Sequence, residues 1–556
     1  MSGIAGSCRK VLPQAAIVAA ALWVVFPIIG QLNSCLPIRS NQITTVPLFN
    51  AWTIWWNADR AKHGFADYWQ APIFFPEVST FAYSEPQPAT VIVAPVVWLT
   101  GSPTLAYNVY LILSLYLNGF VTFVVLRRHG HRRLISTIGA IMVVWLPLGL
   151  DQVEVLQLVP VWPIIWVWDV VRRHGLRPTR WTAIEAALAY TTCFYTCVHH
   201  TLFLSLVLVA TGWCLFLSFR TKRFWMSSLL ALSIAAVLVG IVLIPLRQTL
   251  KGESFERTPD LVERLSAQPS NLFRSPPHAL IWGATVRGFS LSPGGLKLAL
   301  AAIGFAIAMC RRRRKSWAIF LLMTAVCSGL LTLGPHLKIG TWQPWWDISE
   351  RCPGMGQVRN VFRFAYLTQL SVSLLALLGL RELTTRLSVI TGKQRLMASL
   401  MVVVGVLALI EVPPLQPTLA GAPDLQRHHA WTDFIKQNTP TGKGIACVPF
   451  SASSRALDFD STTRWMYYGT LHGVPMVNGY SGFFPERYMR LRKTITEQGL
   501  NDEIMAELVG MNVHFVVIRS GYLMPAWQFG VTRPYFLKQV FHDPVGVYVY
   551  EIQPGQ

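Results

Sequence analysis

From about residue 13 to residue 412 the chain is a succession of apolar runs, roughly 17–23 residues each, separated by short polar stretches. Runs of that length cross a hydrocarbon core about 30 Å thick, and a backbone inside such a core must satisfy its own hydrogen bonds as helix. Only 13% of the 556 residues are charged, too few to cover a soluble surface of this size. The fold class that follows is an α-helical polytopic membrane protein. Past Pro413 and Pro414 the composition turns ordinary, with charges, glycines and short strand-like runs. The linear reading therefore has a transmembrane domain, 1–412, with a large outer loop, 32–103, followed by an extracytoplasmic (periplasmic) α/β domain, 413–556.

Basic clusters orient the spans. Arg9 and Lys10 precede the first apolar run, which has no convincing cleavage site and reads as an uncleaved helix with a cytoplasmic N-terminus. The run Thr104 to Leu126 ends on the cluster Arg127 to Arg133. Further spans alternate at about 134–150, 157–171, 182–198, 200–219, 225–245, 293–310, 316–333, 363–381 and 396–412, about eleven in all. Each inward end meets basic residues: Arg172 and Arg173, Arg220 to Arg223, Arg311 to Lys315, then Arg381 to Arg395. Asp169 and Glu185 sit near cytosolic ends, where they can snorkel to the interface. Two shorter apolar stretches do not fit as spans. Ala89 to Leu99 reads as a re-entrant or interfacial segment, and Phe49 to Trp56, with its tryptophans, as an amphipathic helix lying in the interface.

The net charge of +21 does not imply nucleic acid, because most cations lie in these short clusters between spans. No phosphate-binding glycine loop, dinucleotide fingerprint, HExxH, GxSxG or zinc pattern is present, which argues against ATP and dinucleotide chemistry. Cys35 and Cys352 both fall on the outer side; that allows a disulfide, but sequence does not fix connectivity. In 413–556, strand-like runs at Ile445 to Phe450, His514 to Ile518 and Gly546 to Ile552 alternate with helix-like pieces at His429 to Gln437 and Asn501 to Val509.

Candidate chemistry gathers in the outer segments. The first loop carries Asp59, Asp67, Glu77 and Glu85 among Trp52, Trp55, Trp56, Tyr68, Trp69 and Tyr83. Glu85 stands just before the apolar Ala89–Leu99 run, where partial desolvation raises a carboxyl pKa towards that of a general base; Asp67 and Glu77 read as solvated residues or caps. A second stretch, Gly334 to Phe364, holds Lys338, Arg351, Arg359 and Arg363, and the preceding outer loop holds Arg247, Lys251, Arg257, Arg264, Arg274 and Arg287. Outer-face cations oppose the usual charge bias and call for a partner: a phosphate held by planar guanidinium donors, or Asp347, Glu350 and lipid headgroups. Arg359 and Arg363, four apart, would share one helical face. Asp151 and Glu154 suit either an acid pair with a divalent metal ion or simple capping, and His199 and His200 either metal ligation, acid–base work or polar helix termini.

Several segments carry a resemblance: AWTIWWNADR, YWQAPIFFPEVSTFAYSEP, GSPTLAYNVYLILSLYLNG, PGMGQVRNVFRFAYL and HGVPMVNGYSGFFPERY. With the order of one span, a long acidic outer loop, many further spans and a soluble outer domain, they resemble the GT-C superfamily of membrane glycosyltransferases. The resemblance runs over most of the chain. It implies a bacterial inner-membrane enzyme that takes a polyprenyl-phosphate sugar lipid as donor and a glycan, lipid or protein as acceptor. Glu85 would then be the loop acid near the acceptor, with Arg359, Arg363 and Lys338 near the donor phosphate. Many members place an Asp shortly after the first span; this chain reads Arg39, Ser40, Asn41, Gln42 there, leaving the base to Glu85 or Asp59, or catalysis absent. The other expectations for such a fold are a lipid-linked glycan flippase, for which the spans hold few polar residues, and a non-catalytic scaffold that binds through its outer domain.

Overall fold

The computed structural model describes residues 2–39, 43–252, 257–281, 283, 289–453, 455–522 and 534–554. Arg287 and the stretch 40–42 lie outside the described residues, as does the side chain of Lys251. The chain divides into two compact units: Met1–Phe26, Leu111–Val242 and Phe255–Pro417 form the first; Pro27–Tyr110, Leu243–Ser254 and Thr418–Gln556 the second. Residues 27–110 thus group with the C-terminal residues, an arrangement that two consecutive stretches of sequence do not contain.

The first unit is helical. Among the described residues, six helices of the chain are long and apolar enough to cross a membrane: Pro103–Arg128, Arg133–Asp151, Val198–Leu215, Lys222–Thr249, Arg314–Leu331 and Val361–Thr391. Four more apolar helices, Val11–Val24, Pro88–Thr100, Gly295–Met309 and Gln394–Ile410, are shorter. The expected count of about eleven full-length spans is not reached. Trp162–Leu176 has 15 residues and carries Asp169, Arg172 and Arg173, and Arg180–Thr196 carries Glu185, so neither has an uninterrupted apolar length.

Helix Ala365–Thr391 is buried over most of its length and packs on Gly295–Met309. Here the two backbones touch: a Cβ on Gly379 would overlap the Leu300 carbonyl, and one on Gly304 the Leu375 carbonyl. Lipid tails are as apolar as leucine, so helices in a membrane gain most by such close packing through small residues.

Charges inside this unit are paired rather than snorkelling. The Asp169 carboxylate is fully buried and accepts from Arg128 Nη1 at 3.0 Å and Arg173 Nε at 3.0 Å, with His129 Nε2 at 3.1 Å. Arg173 also donates to Glu185, 2.9 Å from Nη1 to Oε2. Buried Glu382 pairs with Arg314, and buried Lys297 donates to the Pro293 carbonyl at 2.8 Å.

Among the described residues, the second unit holds all the strands. Strand β1 (Cys35–Ile38) pairs antiparallel with β2 (Thr418–Gly421). Strands β3 (Gly444–Val448), β4 (Val513–Arg519), β5 (Tyr535–Asp543) and β6 (Val547–Pro554) form a four-stranded sheet in the order β3-β4-β6-β5. β3 and β4 are parallel and the other pairs antiparallel, and Gly546, at a φ of 82°, closes the β5–β6 hairpin. Three of these strands and the helices His429–Asn438 and Asp502–Gly510 lie where alternating patterns place them. Strand β5 and the helices Asp460–His472 and Glu486–Gln498 add to that outline.

The helix Thr45–Lys62 corrects a sequence expectation. It does not present an apolar face to a membrane surface: twelve of its 18 residues are buried, with Trp52 only 1% exposed and Trp56 4%. Its partners are the C-terminal elements, through Thr45 Oγ1 to the Ala456 carbonyl at 2.8 Å and an edge contact of Phe49 on Tyr480 at 5.4 Å. Cys35 and Cys352 are both free thiols.

Candidate functional site

In the second unit, the sequence-predicted acid Glu85 follows the 3-10 turn Thr80–Tyr83 and is half-buried. The segment after it is held by amides of the Thr45–Lys62 helix. Asn57 Nδ2 donates to the carbonyls of Pro86 (2.8 Å) and Gln87 (3.2 Å) and to Thr90 Oγ1 (2.9 Å). Gln87 Nε2 donates to Asn50 Oδ1 at 2.8 Å, and the Tyr68 hydroxyl to Asn57 Oδ1 at 2.7 Å. Asn50 and Asn57 are two helical turns apart on one face, so a single stripe of this helix fixes the backbone beside Glu85. Gln87 is held at a φ of 48°, a left-handed conformation that a side chain adopts only where its surroundings enforce it. Glu85 therefore projects from a pre-set backbone rather than from a loose loop.

Asp59 lies two residues beyond Asn57, about 200° round the helix. It sits in an ion pair with Arg60, whose Nε donates to Oδ2 at 2.8 Å, and His63 approaches to 3.7 Å. Arg60 in turn covers the Trp56 ring at 4.5 Å. Asp59 thus serves a local charge pair, on the side of the helix away from the stripe that holds Pro86.

The segment around Glu85 is also tied to the C-terminal sheet. Phe75 N–H donates to the Met476 carbonyl (2.9 Å), Phe74 N–H to that of Asn478 (3.3 Å), and Phe483 N–H to that of Tyr83 (3.0 Å). Asn478 clamps Cys447 of β3, donating to its carbonyl at 2.8 Å and accepting its N–H at 2.7 Å. The aromatic cores of YWQAPIFFPEVSTFAYSEP and HGVPMVNGYSGFFPERY, about 400 residues apart, are therefore two sides of one packed joint. Gly479 lies against the Phe74 ring and Gly444 against that of Phe75, where a Cβ would collide. The second of these motifs thus supplies backbone and ring contacts to that joint.

In the first unit, Arg359 and Arg363 do not share a helical face. Arg359 lies in extended chain between the short 3-10 turns Met355–Gln357 and Val361–Phe364, and Arg363 in the second of them. Gly354 and Gly356 favour the irregular path. Arg359 instead neighbours Arg257, from the connection between helices Lys222–Gly252 and Gly295–Met309. Burial and the Arg359 guanidinium push Arg257 down to about 10, and its Nε reaches the Gln357 carbonyl at 3.5 Å. Guanidinium groups offer planar paired donors of the kind that bind phosphate oxygens.

Arg363 donates to Gln152 Oε1 at 3.3 Å, which brings it to the loop holding Asp151 and Glu154. Beside it Tyr366 donates to the Leu148 carbonyl at 3.4 Å, and the buried His200 ring lies against Tyr366 at 4.9 Å. Arg363, Gln152, Tyr366 and His200 therefore form one cluster. His199 is half-buried and faces Phe203 at 6.2 Å. Asp151 is exposed and Glu154 half-buried. Two carboxylates suffice for Mg²⁺ only when phosphate oxygens and waters complete the shell. Lys338 is exposed in the turn before Trp342 and makes no hydrogen bond or ion pair among the described residues. Nothing brings it to Arg359.

Sequence reasoning counted Arg257 only as one cation among six and passed over the Asn50, Asn57 and Gln87 stripe. The seven-residue spacing of two asparagines in a tryptophan-rich helix was the available signal.

No protein-family model and no curated protein matches this chain. Among solved structures it is similar to the arabinofuranosyltransferase AftD from mycobacteria, determined by cryo-electron microscopy as the R1389S mutant. The likeness has a TM-score of 0.56 at 14% identity over 97% of this chain. The chain spans about two-fifths of that protein, 41% of its length. At that identity the likeness is one of fold alone.

Proposed function

We propose that the chain is a glycosyltransferase that moves a sugar from a polyprenyl-phosphate-linked donor to an acceptor hydroxyl at the outer face of the bacterial inner membrane. The fold supports the class, since the similar solved structure is named an arabinofuranosyltransferase. The observation that carries the phosphate half of the reading is that Arg257 Nε reaches the Gln357 carbonyl, two residues before Arg359, so that guanidinium groups from two separate segments come to one stretch of chain.

In this reading Glu85 is the base. Its carboxylate takes the proton of the acceptor hydroxyl while that oxygen attacks the anomeric carbon. The bond from the anomeric carbon to the phosphate oxygen breaks, and the electron pair leaves with the phosphate. Arg359 and Arg257, with Arg363 as neighbour, stabilise the charge that grows on the leaving group, an effect that is largest where water is excluded. Asp59, already engaged by Arg60, is the second choice for the base. A Mg²⁺ ion at Asp151 and Glu154 is compatible with a phosphate donor and is not required by this scheme.

The direct test is transfer from a synthetic polyprenyl-phosphate arabinofuranose to a lipid or glycan acceptor in proteoliposomes. Glu85→Gln keeps size and shape and removes the base, so transfer should fall about 10²- to 10⁴-fold with unchanged thermal unfolding. Retained activity in that variant removes Glu85 from the chemistry. No transfer by the wild type with any polyprenyl-phosphate sugar, together with scrambling of lipid-linked glycan across the bilayer, would make the protein a flippase.

A further inference from the structure

Between helices Trp162–Leu176, Arg180–Thr196 and Lys222–Gly252 lies an apolar cavity of about 840 Å³, the size of a ligand site. The hollow exists because the Lys222–Gly252 helix turns small residues inward there: Ala231 and Ala235, one turn apart, line its wall. The polar group at its edge is already satisfied. Buried His174 has Thr182 Oγ1 at 2.9 Å from Nδ1 and Ser228 Oγ at 3.1 Å from Nε2. The interior therefore offers nothing to a polar ligand and suits hydrocarbon alone.

One end of the cavity is ringed by Trp213, Phe219 and Trp225, and both tryptophans are exposed at 62%. Large amphipathic rings gather at the headgroup level of a bilayer. Directly beyond them the chain turns through Arg220, Lys222 and Arg223, all exposed, and Arg177 and Arg180 lie on the neighbouring connection. None of these five makes an ion pair with an acid among the described residues. Arg220 instead leans on the Phe219 ring at 5.6 Å. A hydrocarbon slot ending in interfacial aromatics and then in uncompensated cations is complementary to an amphiphile with an anionic head.

We propose that this cavity holds the acyl chains of an anionic bilayer phospholipid whose phosphate rests on Arg220, Lys222 and Arg223. The site is built entirely within the first unit and does not depend on the transfer reaction. It requires only that the turn and the hollow share a leaflet, which their direct covalent connection provides.

The full chain in nanodiscs of equimolar dioleoyl phosphatidylglycerol and phosphatidylcholine provides the test, read by native mass spectrometry. Wild type should retain phosphatidylglycerol in preference, by about fivefold for each cation engaged. R220Q/K222Q/R223Q should bring both lipids to the same retention. Ala231→Phe with Ala235→Phe should expel both lipids. A photoactivatable acyl-chain phosphatidylglycerol should crosslink to the cavity wall. Should the cavity-filling variant fail to fold, the headgroup variant and the crosslink sites decide. Equal retention of the two lipids by wild type, a preference that survives R220Q/K222Q/R223Q, or crosslinks confined to other helices would each overturn the assignment. Displacement of phosphatidylglycerol by equimolar polyprenyl phosphate would also overturn it, by making the occupant a donor lipid.

Discussion

Two helices of this protein carry opposite lessons about apolar surface. Thr45–Lys62 carries Asn57, Asp59 and Arg60 in its last turns, yet Trp52 and Trp56 are buried, both with their rings against Phe81. Lys222–Gly252 is far more hydrophobic, yet Trp225, Met226, Leu229, Leu232 and Val237 are exposed along it. In water the second pattern would be untenable. In a bilayer the surrounding lipid accepts leucine as readily as a protein core does, so hydrophobicity marks the lipid-facing helix and polar anchors mark the packed one.

The contrast can be broken by substitution. The largest expected effect is Trp52→Ala, which empties the joint between the Thr45–Lys62 helix and its partners. It should destabilise by roughly 3–5 kcal/mol, the range for deleting a buried aromatic, read as a fall in the apparent melting temperature of the detergent-solubilised chain. A shift no larger than that of a surface substitution would mean that the helix lies in the membrane interface after all.

Next in size is Asp169→Asn. It leaves Arg128, His129 and Arg173 around a neutral group at a position where the carboxylate is fully buried. Because Arg128 is half exposed, about 2 kcal/mol is expected rather than the larger loss of a wholly buried pair. Rescue by charge reversal at Arg173 alone would argue against a shared network.

A pH titration sharpens the same comparison for the second unit. His472 is buried, and desolvation, with Lys436 nearby, pushes it down to about 3 from 6.5. The unfolded chain binds a proton near pH 6.5 where the folded one does not, so protonation favours unfolding. This contribution to stability is complete above pH 6.5 and is lost as pH falls towards 3, amounting to about 2 kcal/mol at pH 5. His472→Gln should flatten the dependence in denaturant titrations between pH 7 and 5. The smallest effect belongs to the lipid-facing helix: Leu232→Ala should change stability by no more than about 0.5 kcal/mol, because lipid takes up the space.

Much of the outline was legible because a bilayer imposes simple rules. Span length and charge bias are local properties, so the apolar domain and its change of character near Pro413 follow from counting residues. Alternating patterns likewise located β3, β4 and β6. The edge strand β5 escaped because YFLKQVFHD has charges and no clean alternation. The full span count is not confirmed, for a related reason. Windows of apolar residues pass over buried Asp169 in Trp162–Leu176 and half-buried Glu185 in Arg180–Thr196, which pair with arginines rather than reaching for the interface.

The sites divide along the same line. Glu85 could be singled out from its own neighbours, an acid just ahead of an apolar stretch. That its following residues are pinned by Asn57 and Asn50, and that Asp59 is occupied by Arg60, depends on which way one helix is rolled. Arg359 and Arg363 were visible as cations just ahead of an apolar run, but their spacing suggested a helix where glycines leave irregular chain, and the partner Arg257 lies about 100 residues away.

By itself the sequence determined that this chain is a membrane protein rich in apolar helices with a folded tail, because transfer free energies are summed residue by residue. Only the tertiary structure decided that residues 27–110 fold with that tail and which charges meet. Such pairings depend on contacts between segments hundreds of residues apart, and no local period encodes them.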